Sequence, residues 1–200
     1  MDLGPASLSA ILLAAGTSSR SLAGNKLLLP GPRGRPVLRQ VAEVFCGLGL
    51  GEVLLVTGHE AERVRAAVEG LPLRFVQASD YALGMGHSLA AGLRAASPGA
   101  RGFLVSPCYL PFLEPEPVRA VVDCFLRQGG LRHVIPLQGG QRGHPVAICA
   151  DLRASLEALQ GDQGARQLLG LPQERARTEF LVLTQSSIHR DNDRGEATAG

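Results

Sequence analysis

Short apolar runs rich in Leu, Val and Ile recur along the chain at 8–13, 52–57, 73–76, 102–106, 133–136 and 180–183. Each is too short for a helix and too continuously apolar for a strand with one wet face, so each is predicted to be a strand buried on both sides. Between them, apolar residues return with helical period at 37–48, 60–69, 88–96, 115–128, 152–159 and 165–169. Strand and helix therefore alternate. That order predicts an α/β domain, a mostly parallel central sheet between helical layers joined by right-handed crossovers. Only Gly/Pro-rich turns, such as 30–36 and 129–130, interrupt the pattern, so residues 1–200 are read as one domain, with the polar tail 190–200 expected to be partly disordered.

Composition narrows the class without naming a function. The chain has 200 residues, 45% hydrophobic and 19% charged, which suits a globular domain. Its formal charge of +2 arises from 20 basic and 18 acidic residues spread along the length, with two Tyr, six Phe and no Trp. No basic stripe with stacking aromatics is present, so no nucleic-acid partner is expected. The four cysteines form no CxxC pair and lie near no histidine at zinc spacing, and the apolar N-terminal run lacks a basic leader. A cytoplasmic protein with no membrane partner is the resulting expectation.

The first strand runs into Ala14, Ala15 and Gly16, then Thr17, Ser18, Ser19 and Arg20, with Lys26 six residues on. Small residues let the backbone approach a ligand closely, and consecutive N–H groups in such a turn make an anion-binding concavity. The position, at the carboxyl end of a strand, is where open α/β sheets bind ligands. Neither GxGxxG after this strand nor GxxxxGK[ST] anywhere is present, which excludes the dinucleotide fingerprint and the P-loop. Lys26 is the sole lysine in a chain whose other basic residues are all arginine. A compact ammonium beside such a loop is suited to phosphate.

The run Leu13-Ala14-Ala15-Gly16, Arg20 and Lys26-Leu27-Leu28-Leu29-Pro30 resembles the signature of the molybdenum-cofactor nucleotidyltransferases, the MobA-like group, and in particular its molybdopterin cytidylyltransferase branch. Three further segments in the same order are similar to that group: Tyr81-Ala82-Leu83-Gly84-Met85-Gly86-His87-Ser88-Leu89, Arg142-Gly143-His144-Pro145-Val146 and Gly161-Asp162-Gln163-Gly164-Ala165-Arg166. The resemblance implies a three-layer, Rossmann-like nucleotidyltransferase fold. It implies transfer of CMP from the nucleoside triphosphate CTP to the terminal phosphate of molybdopterin, with release of pyrophosphate and with Mg2+ as the metal.

On that resemblance the loop from Ala14 to Ser19 binds the nucleotide, its N–H groups from Ala15 to Ser19 holding the β- and γ-phosphates, while Arg20 and Lys26 supply the neutralising charge and Lys26 reaches the α-phosphate. Gly84 and Met85 lie by the base, and Ser88 either reads a base edge or caps the helix that follows. His144, Asp162 and Arg166 mark the acceptor side. His144 is equally readable as a structural histidine, and Asp162 as a helix N-cap with Arg166 one turn on.

One position departs from the group. Where its members carry a metal-binding aspartate after the fourth strand, this chain reads Ser106-Pro107-Cys108-Tyr109-Leu110-Pro111, so Tyr109 replaces a carboxylate. Magnesium requires near-octahedral oxygen ligation, which a neutral phenol serves poorly. Three readings stay open at this point. The late carboxylates Asp191 and Asp193 carry the metal. Alternatively the protein is a catalytically impaired homologue that binds nucleotide or molybdenum cofactor as a carrier or partner of a molybdoenzyme. In the third, the donor or acceptor has changed and Tyr109 stacks on it.

Overall fold

The computed structural model describes residues 3–16, 24–184 and 188. In chain order its elements are β1 (Leu8–Ala14), α1 (Val37–Cys46), β2 (Glu52–Thr57), α2 (Ala61–Ala67), β3 (Arg74–Gln77), α3 (Met85–Ala95), β4 (Gly102–Pro107) and α4 (Pro115–Arg127). They continue with β5 (His133–Gln138), β6 (Gln141–Arg142), β7 (Val146–Cys149), α5 (Arg153–Glu157), α6 (Ala165–Leu168), α7 (Pro172–Ala176) and β8 (Thr178–Val182). Among the described residues no helix is long and apolar enough to cross a membrane.

The period-2 alternation of β1 explains the layering. Leu8, Ala10, Leu12 and Ala14 point to one face, where they pack with Val37, Leu38, Val41 and Phe45 of α1 and with Val118, Val121, Val122 and Phe125 of α4. Ile11 points to the other face, against Leu89 and Leu93 of α3, Phe103 of β4 and Leu156 of α5. Two helical layers thus enclose a central sheet of order β3-β2-β1-β4-β7-β5-β6, with β8 added beside β5. β1 is parallel to both β2 and β4, β2 to β3, and β5 to β8. This is the three-layer, mostly parallel architecture the alternation of elements predicts.

The exception is β7, which lies antiparallel between β4 and β5, pairing Val105 with Val146 and Val134 with Ala147. Arg142 closes β6 against Leu137 and Val146 opens β7, while residues 143–145 between them form the connecting loop. β7 is four residues long and preceded by Gly-His-Pro, so its own pattern is too brief to announce a strand. Its insertion brings the residues just before Val146 beside the carboxyl end of β4.

At the opposite end of the sheet a polar cluster ties β5, β7 and α7 together. His133, fully buried, contacts Glu174 through Nε2 at 2.9 Å and accepts the Cys149 N–H at Nδ1 at 3.1 Å. Arg177 donates from Nε to Glu174 at 2.7 Å and grips both Asp151 carboxylate oxygens at 2.7 and 3.0 Å. Every buried polar group in this cluster has a partner, which such burial requires. The cysteines are all free thiols.

Candidate functional site

The carboxyl ends of β1 and β4 lie side by side, with Leu13 opposite Pro107. A cavity of about 250 Å³ opens there. Its walls are largely apolar, with Leu89 of α3 and Val105 of β4 among them, and its polar groups are Tyr109, Arg142, His144 and Arg166. A mostly apolar hollow with a few convergent polar groups at strand ends is the usual form of a small-molecule site.

Two sequence-distant segments build one wall. The N–H of Gly86 donates to the Gly161 carbonyl at 2.8 Å, so the start of α3 carries the 160–164 turn on its back. Gly84 (φ 125°) lies so close to this turn that a Cβ would overlap the Gly161 carbonyl and stand 2.7 Å from the Asp162 nitrogen. At Gly86 a Cβ would stand 2.7 Å from the Gln163 carbonyl oxygen. Both glycines are thus accounted for by contact between protein segments, whereas the sequence motif associates them with a base. Gly164 in turn leaves room for the Met85 methyl, which a Cβ there would meet at 2.7 Å.

α3 starts at Met85, with Gly84 as its cap. Ser88 is therefore one turn inside the helix and buried, which removes the capping role considered for it. Asp162 is likewise no N-cap: Gly164 holds that position for α6, and Asp162 is exposed outside the cavity lining. Arg166, on α6, does line the cavity, and so do Met85 and His144.

His144 is held by its backbone N–H to the Ile188 carbonyl at 2.9 Å, and its peptide to Pro145 is cis. Its side-chain Nδ1 is buried and has no hydrogen-bond partner among the described residues. Burial drives its pKa down to about 4, with the Val105 carbonyl acting in the other direction. The ring is neutral near pH 7, so it can serve a ligand by hydrogen bonding but contributes no charge to phosphate binding. Leaving a buried ring nitrogen unpaired costs about 1–3 kcal/mol, which a ligand group donating to it recovers.

Arg142 leans over the Phe180 ring of β8, its guanidinium carbon 5.4 Å from the centroid. Arg142 and Arg166 have no ion-pair partner among the described residues, whereas Arg177 at the other end of the sheet is clasped by two carboxylates. Arg142 belongs to one of the motif segments but is not singled out by the sequence; a basic residue two positions before His144 is the available signal.

At the first loop, Ala14 and Ala15 are buried and Gly16 is exposed, facing open space. Asn25 folds the following turn, accepting the Leu27 N–H on Oδ1 at 3.2 Å, while the Leu27 and Leu29 carbonyls accept from the first turn of α1. This anchoring presents Lys26, whose Nζ stands 4.2 Å over the centre of the Tyr109 ring. The sole lysine and the residue that departs from the family pattern are thus in direct contact, a cation–π pair worth about 0.5–2 kcal/mol. Thr17, Ser18, Ser19, Arg20, Asp191 and Asp193 lie outside the described residues. Cys108 is fully buried and burial pushes its thiol pKa up, so it has no reactive character.

The model of the MobA-like NTP transferase domain matches residues 10–178. The chain belongs to this family. Nicotine blue oxidoreductase of Paenarthrobacter nicotinovorans is 34% identical over 164 residues, which is 80% of this chain and 79% of that protein. The fold matches Rv0371c of Mycobacterium tuberculosis H37Rv with a TM-score of 0.77 at 24% identity, over 93% of this chain and 92% of that one. A further structure of Rv0371c is a complex with manganese. A nucleotidyl transferase from Methanothermobacter thermautotroptrophicus aligns with a TM-score of 0.72 and 26% identity, over 89% and 88% of the two chains.

Family membership raises the question of a metal. Among the described residues the cavity lining contains no Asp or Glu, and Tyr109 occupies the segment after β4. Among the described residues there is also no group of three or more His, Cys, Asp or Glu side chains able to hold an ion. These donors do not fit magnesium, a hard cation that takes carboxylate oxygens.

Proposed function

We propose that the protein is a cytidylyltransferase that moves CMP from CTP to the terminal phosphate of molybdopterin. The acceptor oxygen attacks the α-phosphorus, the bond from that phosphorus to the bridging oxygen of the β-phosphate breaks, and pyrophosphate leaves. The observation that carries this reading is convergence: the end of β1, the start of α3, the His144 segment and α6 meet around one cavity. Such transfer is accomplished by positioning and by charge, since the phosphates must be neutralised and the nucleophile held in line. The loop after Ala15 and Lys26 suit the triphosphate. The apolar walls with His144 suit a flat heterocycle, and Arg142 and Arg166 the phosphates of the nucleotide or of the acceptor. Because the described donors do not fit magnesium, no step is assigned to it.

Tyr109 favours a second reading, in which the chain binds nucleotide or molybdenum cofactor without transfer and hands it to a molybdoenzyme. A relative whose name denotes an oxidoreductase also supports a reading without transfer. Pyrophosphate release from the full chain supplied with CTP and molybdopterin separates the two. The expected result is release that requires both substrates and falls by about tenfold or more when GTP replaces CTP. Binding of both without release, converted to release by Tyr109→Asp, would establish the second reading instead.

A further inference from the structure

We propose that this cleft binds its anionic ligand without a divalent metal, Arg142 and Arg166 meeting the charge that a metal would otherwise neutralise. The proposal rests on reading the cleft as a nucleotide site, but not on whether transfer follows. Three observations carry it.

First, the polar lining is of one sign. Arg142 and Arg166 are cationic, Tyr109 and His144 are neutral, and the described residues contribute no carboxylate to the wall. Among the described residues a divalent cation finds no carboxylate here and meets two positive charges, whereas a phosphate finds two guanidinium groups able to donate in pairs. Second, these arginines have no ion-pair partner among the described residues, unlike Arg35, Arg39, Arg74 and Arg177, each paired with a carboxylate. Beside an apolar cavity the low-dielectric walls strengthen an arginine's hold on an anion. Third, the place after β4 is occupied by the Tyr109 ring with the Lys26 ammonium 4.2 Å above it. The Lys26 ammonium therefore stands beside the position at which the family carries its metal ligand.

Free CTP carries more negative charge than its magnesium complex, so the two modes of binding respond oppositely to the ion. Calorimetric titration of CTP into the full chain, with EDTA and then with excess magnesium, tests this. The expected result is binding in EDTA that is at least as tight as in magnesium. Arg142→Ala and Arg166→Ala should each weaken it by about tenfold, the scale of one charge-assisted contact. Tyr109→Asp, which supplies a carboxylate, should make binding respond favourably to magnesium. Arg166 is exposed on α6, so its variant leaves the core untouched and the test survives if Tyr109→Asp does not fold. Binding that appears only with magnesium overturns the proposal. So do arginine variants of unchanged affinity, or failure of both CTP and inorganic pyrophosphate to bind in either buffer. If CTP binds in EDTA and no pyrophosphate is released with molybdopterin, the transfer reading fails while metal-free binding stands.

Discussion

Gly84→Ala is expected to destabilise the fold by about 3 kcal/mol or more and to weaken CTP binding with it. The two causes act together. With φ at 125°, Gly84 occupies a region of backbone space that a side chain rarely adopts. Its Cβ would also overlap the Gly161 carbonyl, which cannot simply withdraw because it accepts the Gly86 N–H at 2.8 Å. Relief requires the 160–164 turn to lift from α3, and α6, carrying Arg166, follows directly after that turn. Gly164→Ala is the control. There the new methyl meets only the flexible end of Met85, so the cost should be about 1 kcal/mol. Urea unfolding midpoints and CTP titration of both variants check the pair. A Gly84→Ala protein with the parental midpoint and affinity would show that the turn is not held as described.

That contact also marks where legibility in the sequence ended. β1, β2 and β4 and helices α1 and α4 were readable because burial on both faces writes a continuous apolar run, and burial on one writes a helical period. β7 was not, because a four-residue strand carries too little pattern, and α7 is equally brief. Ser88 was misplaced as a possible cap because the true cap, Gly84, makes no side-chain hydrogen bond and so leaves no N-cap residue type to read. The motif around Gly84 was visible, but its physical reason was not: the glycine answers to Gly161, which only the fold brings near. His144 illustrates the same limit. Its type and neighbours in sequence offered a phosphate ligand, while its neutrality is imposed by burial, a property of the packed state. The replacement at Tyr109 was legible, whereas the Lys26 ammonium over its ring was not.

Acid should destabilise this protein earlier than its carboxylates alone would dictate. His144 has its pKa lowered from 6.5 to about 4 by burial. Burial likewise lowers that of His133, only partly offset by the hydrogen bond to Glu174. For His133 the geometry shows why: Nδ1 accepts the Cys149 N–H, so a second ring proton would face another donor. The sign follows from proton linkage. Well above pH 6.5, the reference value for these histidines, both are neutral in folded and unfolded chains, and stability does not depend on them. As pH falls through that value the unfolded chain takes up protons that the folded one refuses, so stability declines. For His144 the loss totals about 3 kcal/mol by the time its folded-state pKa is reached, and His133 adds to it. Glu174 and Asp151 extend the decline further down. At Glu174 burial works upward, but the hydrogen bonds from His133 and Arg177 outweigh it; at Asp151 the bond from Arg177 dominates. Both carboxyl pKa values are therefore lowered, and their stabilisation is lost as pH falls below the usual carboxylate range. Urea midpoints measured from about pH 7.5 down to about pH 4.5 should hold level and then drop below about pH 6.5. His144→Asn should flatten part of that drop. A midpoint that stays level to about pH 5 would mean that the two rings accept protons in the folded state, and that His144 is available as a cation after all.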